Sequence, residues 1–574
     1  MCGIAGWFGQ SGKWDAEVLR GGLSGRGPDG SGIWRDDKAT LVHTRLAVIG
    51  LGEHGAQPMA RDEEAVLVFN GEIYNYREFL QPDAESDTAV LLELLAREGA
   101  GCLPKLAGMF AFAFYRPATG EALLARDAFG IKPLYYRIDK GDLAFASESK
   151  LLRQEGDSAD AAALRDFFLW GSVPEPATVT TKIRQVPAGH CLHWKNGRAE
   201  IVAWHKPNLK ANRRMKRDEA VRRARAALEE SMLRHLVSDV PVGIFLSGGI
   251  DSTALLALAR QQLGRQAELL TFSIGFEDPQ FDESSIARRT AEHFGTTHAE
   301  WRMKSEEGGA EIRSYLAAVD QPTIDGFNTW CVSKLAKREG IKVVLSGLGG
   351  DEWFAGYGSF TRMKQVKMLH RALPRVLRKL VAAWCDGAST GSPRRRLGVF
   401  LRGGGSWLEA FHAMRGIFTP DEAAELAAAF TGARPPSADW ATGPLPESAA
   451  EVAGWLEITR YMRNQLLRDS DLFSMAQGIE LRVPFVDVRL ADALLELPPE
   501  YRLEKGKKLL TDAVPEIPEW IRDRPKQGFV FPFAQWMQTA MGDLLQEAQR
   551  TSPVGLSTWY RTWAVVAGAR SVAP

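Results

Sequence analysis

Chemistry could begin at the second residue. A thiol is mostly protonated at neutral pH, but removal of Met1 would give Cys2 a free α-amine, of pKa about 8, beside its sulfur. Nucleophile and base would then share one residue, with no separate histidine required. Gly3 removes side-chain bulk where a substrate must approach. A second place is Ser247-Gly248-Gly249-Ile250-Asp251-Ser252, behind the apolar run 241–246 and ahead of an Ala/Leu-rich stretch. A Gly-rich turn from strand to helix offers backbone N–H groups and a helix N-terminus to an anion, and the serines add hydroxyl donors. Asp251 repels phosphate and fits such a loop only as the partner of a bridging Mg²⁺. The run lacks the Gly-Lys-Ser/Thr ending of a Walker A loop, so γ-phosphoryl transfer loses its main support. A second Gly-rich turn, Ser346-Gly347-Leu348-Gly349-Gly350-Asp351-Glu352, follows the apolar run 342–345.

The elements that must hold these residues differ along the chain. Up to about residue 205, short apolar runs at 41–49, 65–69, 109–115, 121–125 and 133–138 alternate with Gly, Pro and Asp turns and predict strands. The spacing over 86–96 predicts a helix among them, and the pattern is α+β. A polar, basic stretch near 206–216 reads as a linker, and 217–236 as a long helix. Beyond it, strands at 241–246, 269–274 and 342–345 alternate with helices at 253–263 and 284–294, which predicts a parallel sheet with active residues at strand C-termini. Residues 364–553 read as mostly helical, with loops at the Gly/Pro-rich stretches 387–406 and 431–448. The division is 1–205, a linker at 206–216, 217–545, and a tail at 546–574.

Composition bounds the function. With 574 residues, 45% hydrophobic and 25% charged, the chain is neither mainly disordered nor collagen-like. Lys and Arg total 71, as do Asp and Glu, so no overall charge excess advertises nucleic acid, although balanced totals can conceal a local basic groove. Five cysteines without a CxxC pair argue against a disulfide framework or zinc ribbon and point to a reducing cytoplasm. The start reads as no signal peptide, and no apolar run approaches the roughly 18 residues of a membrane span, so no membrane partner is expected.

Six ordered blocks in the first half, MCGIAG, RGPDG, HTRLAVI, FNGEIYN, ESDTAV and ARDAFGIKPLYY, resemble the class II glutamine amidotransferases. SGGIDS resembles the pyrophosphate loop of ATP pyrophosphatases. With SGLGGDE, FSIGFED, SMAQGIELRVPFVD and RPKQGF, the likeness extends to glutamine-hydrolysing asparagine synthetases of the bacterial B type, over about residues 2–540. The resemblance implies an N-terminal-nucleophile (Ntn) αββα sandwich followed by an α/β ATP-pyrophosphatase domain with added helices. It makes Cys2 the nucleophile that releases ammonia from glutamine, with Asn70 and Gly71 as oxyanion hole. Arg45 would clamp the glutamine carboxylate, and Glu72 and Asp87 its ammonium, with Asn70 also contacting this substrate. Leu246, Ile274 and Gly347 would line the ATP pocket, with Ser247, Gly248, Gly249, Ser252 and Ser346 around the phosphates. Asp251 and Asp351 would hold Mg²⁺, and Lys526 would neutralise charge at the α-phosphate, with Lys507 a weaker candidate of that kind. A shielded ammonia passage, which 483–486 could line, and a homodimer are further implications.

One position departs from the family's pattern. Leu348 stands where these synthetases carry an acid near the acceptor, and the segment 320–328 is an unusual version of the acceptor side. Either Asp325 or Glu352 supplies the missing function, or the acceptor is not free aspartate. Three readings stay open: asparagine synthetase proper, an amidotransferase for a sugar acid, peptide or natural-product acid, and a catalytically silent regulatory relative.

Overall fold

The computed structural model describes residues 2–9, 13–79, 86–524 and 531–572. Strand alternation builds the first half. Ile4, Phe8 and Leu41 of one antiparallel sheet meet Val66, Val68, Ala111 and Leu124 of another, forming an inner apolar layer. Residues of opposite parity cover the outer faces. Ala5 and Val42 pack with Leu19 and Leu23 of the helix Ala16–Leu23, and Leu67 and Phe69 pack with Leu91 and Leu94 of the helix Asp87–Glu98. The layers are therefore helix, sheet, sheet, helix. The first sheet runs Ile183–Gln185, Tyr135–Asp139, Asp142–Ala146, Cys2–Phe8, Ala39–Arg45, Gly30–Arg35, so the N-terminal strand is central. The second runs Arg198–Ala203, His190–Lys195, Glu121–Arg126, Gly108–Arg116, Ala65–Ile73, Met59–Arg61.

The strand expected over 41–49 stops at Arg45. Its apolar remainder, Leu46 and Val48, leaves the sheet and packs into a core shared with the second half. That core also takes Met109 and Phe129 from the first half and Trp353 and Phe485 from the second. Residues 206–216 carry no regular element, and the helix Arg217–His235 follows.

The second half is built on a five-stranded parallel sheet in the order Thr297–Met303, Leu270–Phe276, Val242–Phe245, Val343–Leu345, Glu480–Arg482. Helices Ile250–Leu263, Ser284–Phe294 and Phe327–Arg338 lie in its crossovers. The order reverses between Val242–Phe245 and Val343–Leu345, the switch point at which α/β sheets open a crevice. In this half two expectations differ from the structure. The stretch 387–406 contains the helix Pro393–Arg402, capped by the Ser392 hydroxyl. Residues 559–572 are no loose tail but a helix that buries Trp563, Ala564, Val565 and Val566 in the shared core. No helix among the described residues is long and apolar enough to cross a membrane.

Candidate active sites and family

Strand parity also gathers the first site. Cys2 and Ile4 share one parity, and so do Val68, Asn70 and Glu72, so the three polar side chains lie at one end of the inter-sheet layer. Cys2 is buried, and burial pushes its thiol pKa up, opposed in part by the Leu46 backbone N–H and the Arg45 charge. The Cys2 nitrogen donates to Asn70 Oδ1 at 3.1 Å. That bond fixes the amide's orientation and leaves Asn70 Nδ2 buried with no hydrogen-bond partner among the described residues. A buried donor left unmatched is costly unless a ligand completes it. Gly71, at φ +149, could carry no Cβ, which would come within 2.0 Å of Met109 O. With Nδ2 as the oxyanion donor, Asn70→Ala should lower glutaminase kcat about 10²- to 10³-fold. Steady-state ammonia release from glutamine measures it, and an unchanged kcat would remove Asn70 from that role.

Arg45 donates to Gly52 O at 2.8 Å and to the carbonyls of Ile49 and Gly50, and it has no carboxylate partner among the described residues. It lines a cavity of about 430 Å³ with His43, Gln57 and Asp29. Asp87 accepts from the Ile73 N–H at 3.1 Å, and burial raises its pKa to about 6. Glu72 is brought near Asp87, yet its closest cation is Arg482 of the second half at 3.6 Å, which in turn holds Glu480 at 2.5 Å. Burial, with Glu480 and Asp87 nearby, pushes the Glu72 pKa well up.

A second buried link joins the halves. Asp471, on the helix Arg468–Met475, binds Arg26 Nη2 at 2.5 Å and Lys132 Nζ at 3.0 Å, and Arg26 Nε reaches Cys2 O at 3.4 Å. The blocks RGPDG and ARDAFGIKPLYY contain Arg26 and Lys132 with no role implied for them, and Asp471 lies outside every such block. The ion pairs span more than 300 positions of chain, and no local pattern announces them. Asp471→Ala would strip buried Lys132 of its carboxylate and leave Arg26 only Glu148, at 3.7 Å, and should cost about 3–5 kcal/mol of stability. Urea unfolding followed by tryptophan fluorescence reads this, and a shift within about 0.5 kcal/mol would show the pairs to be unimportant.

In the second half the two Gly-rich turns leave adjacent strands and touch. An added Cβ at Gly347 would lie 3.1 Å from Asp251 Cβ, and at Gly350 only 2.4 Å from Asp251 Oδ1. Gly248 takes φ +69, which turns the chain from the Val242–Phe245 strand into the Ile250–Leu263 helix. Ser247 and Ser252 hydroxyls are 3.1 Å apart, and Ser346 N donates to Arg482 O at 2.9 Å. Leu246 and Ile274 are buried beside the turns, Leu246 donating to Phe272 O at 2.8 Å. Lys507 Nζ meets Asp351 Oδ1 at 2.5 Å and also contacts Asp251. The weaker phosphate candidate thus sits on the two carboxylates, which raise its pKa against the lowering effect of burial. Lys526 lies outside the described residues.

These two assemblies match known families along most of the chain. The family model "Asparagine synthase" matches residues 223–567, and "Glutamine amidotransferase domain" matches 1–205. The chain belongs to the asparagine synthase family. Asparagine synthetase [glutamine-hydrolyzing] 1 of Bacillus subtilis is 32% identical over 91% of this chain and 85% of its own length. Asparagine synthetase B of Escherichia coli is 34% identical over 67% of this chain and 69% of its own. Amidase chry2 of Gibberella zeae is 25% identical over 99% and 95%. Like these synthetases the protein joins a glutamine amidotransferase unit to a carbon–nitrogen ligase unit.

Leu348 is half-buried and packs against the core. Glu352 accepts from Tyr357 OH at 2.9 Å, and burial, with the Asp351 charge, raises its pKa to about 8. A carboxyl whose folded pKa lies above its unfolded 4.5 subtracts stability as pH climbs from 4.5 towards 8. Glu352→Gln should therefore gain on the parent by on the order of a few kcal/mol between about pH 5 and pH 8. Paired urea midpoints at the two pH values decide it, and parallel profiles would refute the neutral carboxyl. Asp325 is also pushed up by burial, and it lines a cavity of about 320 Å³ with Arg460, Tyr461 and Trp563. Arg460 and Tyr461 come from a wide, i→i+5 helical segment, Glu457–Leu467, a form common at functional sites.

Proposed function

We propose that this protein amidates the side-chain carboxylate of aspartate to give asparagine, using ammonia cut from glutamine and a carboxylate activated by ATP. The observation that carries the reading is the pairing of half-sites. The half that holds a buried thiol beside an uncommitted amide donor shares a core with the half that holds two abutting Gly-rich turns, whose acids converge on one cation.

Once Cys2 begins the chain, its amine takes the thiol proton and its sulfur attacks the glutamine amide. Asn70 Nδ2 and the Gly71 N–H donate to the negative oxygen, ammonia departs, and water cleaves the thioester. Arg45 holds the glutamine carboxylate, and Glu72 and Asp87 face its ammonium. In the second half Ser247, Gly248, Gly249, Ser252 and Ser346 cradle the phosphates, while Leu246, Ile274 and Gly347 line the nucleotide. The acceptor oxygen attacks the α-phosphorus, pyrophosphate leaves, and ammonia displaces AMP from the acyl-adenylate. Asp251 and Asp351, two hard oxygen donors already converging on a cation, would hold Mg²⁺, which when bound supplies positive charge to the phosphates. Lys526, and more weakly Lys507, would add to that charge. Water must be kept from the ammonia, and the buried stretch 483–486 lies at the junction.

Leu348 and the aromatic-lined cavity favour a second reading, in which the acceptor is another carboxylate with a bulkier body. AMP and pyrophosphate formation with glutamine, ATP and Mg²⁺, measured across aspartate, uronic acids and aryl carboxylates, separates the two. Release dependent on aspartate supports the first reading. Release only with another acid supports the second, and release with none removes both.

A further inference from the structure

Away from both half-sites, three successive helices, Ser359–Ala372, Arg375–Asp386 and Pro393–Arg402, carry a surface unlike the rest. Between residues 361 and 402 stand eleven Lys or Arg and one acid, in a chain whose totals balance. That acid, Asp386, is held by Arg402 at 2.5 and 2.9 Å. The helix Arg375–Asp386 buries Ala382 and Cys385 on one face. On another face Val376, Leu377, Leu380 and Trp384, which share a stripe at helical spacing, stand 71, 46, 62 and 65% exposed. Arg375 and Lys379 fill the polar wedge between these faces. Met368 and Leu369, near the end of the preceding helix, are exposed as well, and the Arg394 guanidinium lies 3.7 Å over the Trp384 ring.

An apolar strip of this extent marks an interaction surface. Its charge selects the partner. A second copy docked by two-fold symmetry would set the same patch against itself, cation against cation. A nucleic acid would take the arginines but leave Val376, Leu377 and Leu380 in water. An anionic bilayer takes both parts: the aliphatic and indole groups enter the boundary of the acyl chains, and the cations meet lipid phosphates. We propose that the helix Arg375–Asp386 docks this protein in the plane of an anionic lipid surface through Val376, Leu377, Leu380 and Trp384. Arg371, Arg375, Lys379 and Arg394 bind the headgroups. The expectation of no membrane partner came from the lack of a spanning segment, and a helix lying in the interface needs none.

The test uses the full chain and sedimentation with two vesicle types, phosphatidylcholine alone and an equal mixture with phosphatidylglycerol. Binding to the anionic vesicles should be stronger by roughly tenfold or more and should weaken with salt. Leu380→Asp with Trp384→Asp should abolish binding, and Arg375→Glu with Lys379→Glu should erase the preference for anionic lipid. Both pairs should leave glutaminase activity and AMP formation unchanged, since none of these residues belongs to either half-site. The same affinity for both vesicle types, or binding that survives the apolar double substitution, overturns the proposal. So does sedimentation velocity showing that the apolar pair of substitutions turns an oligomer into a monomer, because the strip would then join copies of the chain.

Discussion

Cys2→Ala abolishes glutamine-dependent synthesis, by at least about a thousand-fold, while synthesis from ammonium salts stays near the parental level. The asymmetry follows from where Cys2 sits. Its sulfur is the nucleophile of one half-site, but its nitrogen is what Asn70 Oδ1 holds, and alanine keeps that nitrogen and the strand register Cys2–Arg45. Small side-chain volume is lost from a buried position, so the fold survives. The measurement is asparagine formed from aspartate with glutamine, then with ammonium chloride, at matched ATP. Loss of both activities would mean that the sulfur supports the structure across the junction. Retention of glutamine use would put the nucleophile elsewhere.

The second large effect belongs to the other half. Asp251→Ala should lower AMP and pyrophosphate formation by about a hundred-fold or more with either nitrogen source, and glutaminase activity should persist at least in part. The substitution is clean because Lys507 keeps Asp351 as a partner at 2.5 Å, so no buried cation is stranded. Titrating Mg²⁺ in both proteins adds a check. A rise in the concentration required for half-maximal rate would place Asp251 on the metal, whereas a loss indifferent to Mg²⁺ would place it on Lys507 alone.

Much of this architecture is written locally. The runs 65–69, 109–115 and 121–125 fall inside observed strands because, Met109 apart, their apolar residues of one parity find the inner layer and those of the other find the helix-covered face. Apolar length misleads where burial comes from elsewhere. Leu46 and Val48 are buried by the second half, so the strand expected to reach 49 ends at Arg45. The helix Trp559–Val572 is buried on most sides, which erases the polar face that would have announced it. The helix Pro393–Arg402 did carry a signal, serine followed by proline at its first turn, but glycines on both sides masked it.

For the sites, contiguous motifs single out Cys2, Asn70, Asp251 and Asp351 as candidates. They could not reveal that Lys507 spans the two acids from 256 positions beyond Asp251, or that Glu72 looks across the junction to Arg482. Such pairs are set by tertiary approach. A single sequence shows residue types in order, and it leaves their partners unspecified.

The common core has a consequence for engineering. Leu46, Val48, Met109 and Phe129 pack with Trp353 and Phe485 as if they belonged to one body, unlike the polar seams across which modules are usually traded. A front half transplanted from a relative would arrive with the wrong shape at that seam. A chimera built at the linker should therefore fold well only if it carries this handful of side chains with it.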